Sequence, residues 1–142
     1  MANFTSIRTS LLNLLKTLSS VDSTKVKGYG TVEPTGYPFI TLETLGNESE
    51  ATDEKNIERI YKYRIRVYIN MDKEQAGIEW AEDTLLVVLD EIADKIDNDY
   101  TLSNTVDWIE TVDVNTGYTE NAEGTMRIAE IELKIHKLYQ LT

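Results

Sequence analysis

A chain of 142 residues carries 25 Asp+Glu against 14 Lys+Arg, a formal net charge of −11, with a single histidine and no cysteine. That composition excludes disulfides, thiolate metal sites and cysteine nucleophiles, and it disfavours the broad basic footprint through which proteins hold nucleic acid. The length is that of a single domain, residues 1–142, and no run approaches the roughly 18 consecutive apolar residues of a membrane span or shows a signal-peptide pattern, so no membrane partner is expected.

Phe4, Ile7, Leu11, Leu14 and Leu18 recur at alternating spacings of three and four, with Leu12 and Leu15 widening the stripe. This predicts an amphipathic helix that lies on a sheet, capped by Asn3, Thr5 or Ser6 and ending near residue 20, where Ser19, Ser20, Asp22 and Ser23 cluster. Lys25 to Tyr29 reads as a short strand, after which Gly28, Gly30, Pro34, Gly36 and Pro38 crowd the chain with turn formers. Tyr37-Pro38-Phe39-Ile40-Thr41-Leu42 reads as a strand that tolerates proline at its beginning.

A polar, mostly acidic loop follows from Asn47 to Asn56, and then alternation is sustained to Asn70. Ile57, Arg59, Tyr61, Tyr63, Ile65, Val67 and Ile69 share one side, and Glu58, Ile60, Lys62, Arg64, Arg66 and Tyr68 the other. At about 3.3 Å per residue such a strand outruns an ordinary domain sheet. It predicts a β-hairpin arm, with the acidic loop at its tip, suited to touching a neighbour.

Residues 75–97 return to helical spacing, with Ile78, Ala81, Leu85, Val88, Leu89, Ile92 and Ile96 on one face. On the other, Glu79, Glu82, Asp83, Asp90, Glu91, Asp94, Asp97 and Asp99 stand against Lys95 alone. The preceding strand holds Lys55, Arg59, Lys62, Arg64 and Arg66 against Glu58, so charge is segregated along the chain. Val106–Tyr118 and Met126–Tyr139 close the sequence as a second hairpin around a loop with Glu120, Asn121, Glu123 and Gly124. In its last strand Ala129, Ile131, Leu133 and Ile135 are expected in the core, and Glu130, Glu132, Lys134 and His136 in solvent. The fold class is therefore α+β, a mostly antiparallel sheet packed by two helices in the order α-β-β-β-α-β-β.

No constellation for catalysis or cofactor binding emerges. His136 has no second histidine for a zinc site and no GxSxG elbow. Gly28-Tyr29-Gly30 lacks the third glycine of a dinucleotide loop, and Asp97-Asn98-Asp99 lacks the glycine and final glutamate of a calcium loop. Trp80 and Trp108 are expected in the core, with an interface anchor as the alternative. Neither enzymatic activity, nor a cofactor, nor a metal is expected. The basic strand finds its natural complement in the acidic helix of a neighbouring subunit, which marks Arg59, Lys62, Arg64, Arg66 and Tyr68 with Glu79, Glu82, Asp83 and Asp90 as a candidate subunit interface.

In order and pattern the chain resembles the tail terminator, or tail completion, proteins of the neck of long-tailed bacteriophages. The resemblance runs through the helix Phe4–Leu18, the proline-led strand Tyr37–Leu42, the long strand Arg59–Ile69 and the helix Ile78–Ile96. It continues through Asp99–Val106 and the closing strands to Leu138. It implies a virion protein, assembled in the host cytoplasm, that forms a homohexameric ring, binds the last ring of the tail tube protein and joins the head-side connector or stopper. DNA would pass through the lumen without specific binding. Two alternatives are a connector or stopper protein itself and an acidic DNA mimic that inhibits a DNA-binding enzyme.

Overall fold

Asn3 starts the first helix, α1 (Phe4–Leu15), with a reciprocal cap: its side chain accepts the Ser6 N–H at 2.8 Å, and the Ser6 hydroxyl accepts the Asn3 N–H at 2.9 Å. The helix ends earlier than its stripe predicts, because Thr17 and Leu18 N–H groups bond three residues back, to Leu14 and Leu15, in a tightened turn. Leu18 remains buried. The computed structural model describes residues 3–30, 34, 36–71, 77–121 and 124–140. The expected helix positions Gln75 and Ala76, the expected loop residue Glu123, and the side chains of Ile78 and Asn121 lie outside the described residues.

After a 3-10 turn (Ser23–Lys25), four long strands and one short one build a single five-stranded sheet. They are β1 (Val26–Lys27), β2 (Phe39–Ala51), β3 (Asn56–Asn70), β4 (Trp108–Asn121) and β5 (Gly124–Gln140), and α2 (Gly77–Asn98) lies between β3 and β4 in sequence. The spatial order is β1-β2-β3-β5-β4. Only the β1–β2 pair is parallel. The predicted element order is the observed one.

Both helices cover one face of this sheet. Ile7, Leu11 and Leu15 of α1 and Ala81, Leu85, Val88, Ile92 and Ile96 of α2 meet Tyr61, Tyr63, Ile65, Val67 and Ile69 of β3 and Ala129, Ile131, Leu133 and Ile135 of β5. The alternation of β3 and β5 thus carries the register: Ile65 lies opposite Leu42 and Ile131, and Val67 opposite Ile40 and Ala129. Trp80 packs against this core as expected, whereas Trp108 is 44% exposed on the other side.

The predicted arm is present, with a third strand. β2 follows β3 out to Ala51, and β5 follows it from the other side to Gln140, which lies opposite Asn56. At about 3.3 Å per residue β3 is roughly 50 Å long. A register shift between Thr44 and Gly46 bends β2 where the arm leaves the body. Beyond α2 the chain turns back through Leu102, Ser103 and Asn104, all in the left-handed region, and the Asp99 carboxylate accepts the Ser103 N–H at 2.8 Å. Asp97-Asn98-Asp99 therefore closes a turn.

Candidate assembly surfaces

The sheet face away from the helices is covered by charged side chains in register. Arg64 points among three carboxylates from two flanking strands: Glu43 of β2 at 3.4 Å, and Glu132 and Glu130 of β5 at 3.5 and 3.9 Å. Arg66 donates from Nε to Glu130 at 3.0 Å and has Glu43 at 3.9 Å. Further out, Lys62 pairs with Glu48. The basic run legible along β3 is thus not a basic surface. Cross-strand acids meet it within its own chain.

This network does not fully satisfy Arg64. Its contacts are longer than the roughly 2.7–2.9 Å of a tight charge-assisted bond, and its Nε is a buried donor without a hydrogen-bond partner. For Arg66, burial pushes the guanidinium pKa down, but the bond to Glu130 and the surrounding negative charge outweigh burial and leave it raised. Tyr68 sits on the same face against Phe39, with ring centroids 6.5 Å apart. Arg59 belongs to the opposite side of the arm, where its guanidinium lies 5.1 Å from the centre of the Tyr139 ring. Tyr139 and Tyr61 hydroxyls are 2.9 Å apart beside it.

His136 is the main departure on this face. The alternation of β5 correctly puts it away from the helices, but it is only 7% exposed. Nδ1 is 2.9 Å from Glu58 of β3, Nε2 is 3.0 Å from Glu110 of β4, and the Trp108 ring stacks flat on the imidazole at 4.1 Å. A ring with one N–H satisfies one of these carboxylates; a ring with two satisfies both. No signal in the sequence joins Glu58, Trp108, Glu110 and His136, because three strands must first pair in register to bring them together.

On the helix side, Glu79, Asp83 and Asp90 are exposed on the outward surface of α2, as the periodicity predicts. Glu82 is turned toward the sheet and accepts from Arg127 Nε at 2.7 Å, while Arg127 also bonds the Gly117 carbonyl and lies over Tyr118. Glu91 faces the other way and ties the end of the α1 segment to α2. It accepts the Ser19 and Ser20 N–H groups at 2.7 and 3.0 Å as well as both hydroxyls. Burial pushes this carboxyl up, yet the bonds from Ser20 and Ser19 outweigh burial and hold it at about 2.

A carboxyl held below its ordinary value of 4.5 stabilises the fold above that value and loses the contribution as pH falls toward its folded value near 2. Glu91→Gln is accordingly expected to cost about 1–2 kcal/mol at neutral pH. In urea titrations the gap from the unsubstituted chain should narrow below pH 4.5 and vanish near pH 2. A gap independent of pH would contradict the assignment.

Among the described residues no three His, Asp or Glu side chains gather into a metal site, and no helix is long and apolar enough to cross a membrane. A groove of about 290 Å³ between α1 and the left-handed turn is lined by Ser10, Asn13, Thr17 and Asp99 together with Leu14 and Leu102. The broad surfaces offer shape and charge for contacts between chains.

No protein-family model matches the chain, and no curated protein matches it in sequence. Among solved structures it is similar to a chain described as "Virion of native gene transfer agent (GTA) particle", with a TM-score of 0.51 and 10% sequence identity. The likeness covers 92% of this chain and 94% of that one, so the two share a fold nearly end to end.

Proposed function

We propose that this chain is the repeating subunit of a ring that ends a phage-type tail tube and receives the head-side connector, a tail terminator in role. The observation that carries the reading is the nearly end-to-end likeness of its fold to a chain of a virion. It is a structural virion protein in this reading, without bond-making chemistry, and its partners are copies of itself, the tail tube protein and the connector. DNA passes through the ring, and a net charge of −11 keeps phosphates from sticking.

The surfaces support a head-to-tail contact. In a cyclic ring each subunit offers one surface and receives a different one. The bare sheet face with Lys62, Arg64, Arg66 and Tyr68, and the outward side of α2 with Glu79, Asp83 and Asp90, lie on opposite sides of the two-layer domain. In this contact Arg59 and Glu82 stay with Tyr139 and Arg127 of their own chain.

Deleting the gene from the particle that encodes it tests this reading. Particles without a terminator are expected to carry tails longer than normal and unattached to heads. Tails of normal length, still unattached, would instead assign the chain to the connector side.

A further inference from the structure

We propose that the groove between α2 and the free edge of β4 binds an extended, basic segment of another protein, which pairs with β4 as a sixth strand. The proposal does not depend on the ring. β4 is an outer strand of the sheet, and among the described residues one side of its backbone has no partner strand. Long exposed edges are normally blunted by lysine or other charges, by proline or by bulges. Trp108–Asn121 contains no lysine or proline; a single register shift between Thr111 and Asp113 interrupts it, and its charged residues are all acidic.

The wall beside this edge is apolar. Val114 is 52% exposed and borders a small cavity of about 50 Å³ with Leu89, Ala93 and Ile96 of α2. Leu86 extends the same helix face, since Leu86, Leu89 and Ala93 stand three and four residues apart, and it too is exposed. A strand added to β4 would place alternate side chains over this wall and the intervening ones on the outer sheet face beside Asp113. Asp97, four residues beyond Ala93, adds negative charge at the rim, and Lys95 is the only basic residue of α2. The matching segment alternates aliphatic residues with Lys or Arg.

A second copy of the chain does not supply that segment. Its basic run lies on β3, which is paired on both sides. Among the described residues its other outer strand, β1, is only two residues long (Val26–Lys27), and β4 and the arm portion of β2 carry Glu and Asp and no Lys or Arg. Edge-to-edge pairing of copies would set like charges against each other.

The test is an NMR titration of the isotopically labelled chain with a capped octapeptide alternating Val and Lys, against one alternating Val and Glu. The Val/Lys peptide is expected to shift and protect amides between Glu110 and Tyr118. Val114→Asp and Asp113→Lys should each weaken it about tenfold, with unchanged spectra elsewhere to show that both variants fold. Equal binding of the Val/Glu peptide, binding unaffected by Val114→Asp, or no change at β4 would overturn the proposal. Self-association of the peptide-free chain through β4 would overturn it too, by making a second copy the occupant.

Discussion

Replacing both Arg64 and Arg66 with Glu is expected to destabilise the isolated subunit by about 2–4 kcal/mol and to weaken the proposed ring contact. The two arginines sit in the middle of the sheet's outer face with Glu43, Glu130 and Glu132 around them. Reversal turns each of those contacts into repulsion, with two new carboxylates inserted among three. For a domain of this size the loss corresponds to a fall of roughly 5–15 °C in the unfolding midpoint. Added salt should recover part of it by screening the repulsion.

The corresponding double replacement by Gln removes the attraction without adding repulsion and should cost less than half as much. That pair of variants separates folding from assembly. If the glutamines leave the monomer folded but reduce assembly in light scattering, the arginines act between subunits as well as within one. An unchanged midpoint for the double Glu variant would contradict the intrachain network itself.

His136→Ala is expected to cost about 2–3 kcal/mol, because it leaves Glu58 and Glu110 facing an empty site and uncovers the Trp108 ring. His136→Phe restores the stacking surface and no donor, so it should recover only the packing share of that loss. Urea unfolding of the three proteins measures the division. A Phe variant as stable as the original would show that the carboxylates do not depend on the imidazole. A lone surface histidine would give no loss in either variant.

The contrast between these two sites shows what local pattern conveys. The alternation from Ile57 to Ile69 and from Ala129 to Ile135 reflects burial against the helices, and burial repeats every second residue whatever the partner strand. Both strands and their core faces were therefore legible. The environment of the other face depends on which strands flank β3, and that is fixed by pairings 60 to 80 residues apart, such as Arg66 with Glu130 and Glu58 with His136. Charge summed along β3 looked basic; charge across the sheet is balanced.

Glu91 follows the same logic. It occupies a polar position of an amphipathic helix, and in sequence its partners Ser19 and Ser20 signal only the end of α1. The arm was legible as β2 and β3 and the last strand as far as Tyr139, but not the pairing that lays β5 along β3 as the arm's third strand. Trp108, assigned to the core by its size, instead covers the imidazole on the bare face. The partners of Arg59 and Glu82, Tyr139 and Arg127, are likewise set by tertiary contact.

The most direct test of the ring account is electron cryomicroscopy of the purified chain mixed with growing tubes of the tail tube protein encoded alongside it. The account predicts one ring of this chain seated on a single end of each tube, neighbouring subunits related by rotation with a sheet face against the next subunit's α2, and no growth beyond the capped end. Tubes that bind the chain along their sides, or that continue to lengthen in its presence, would contradict it.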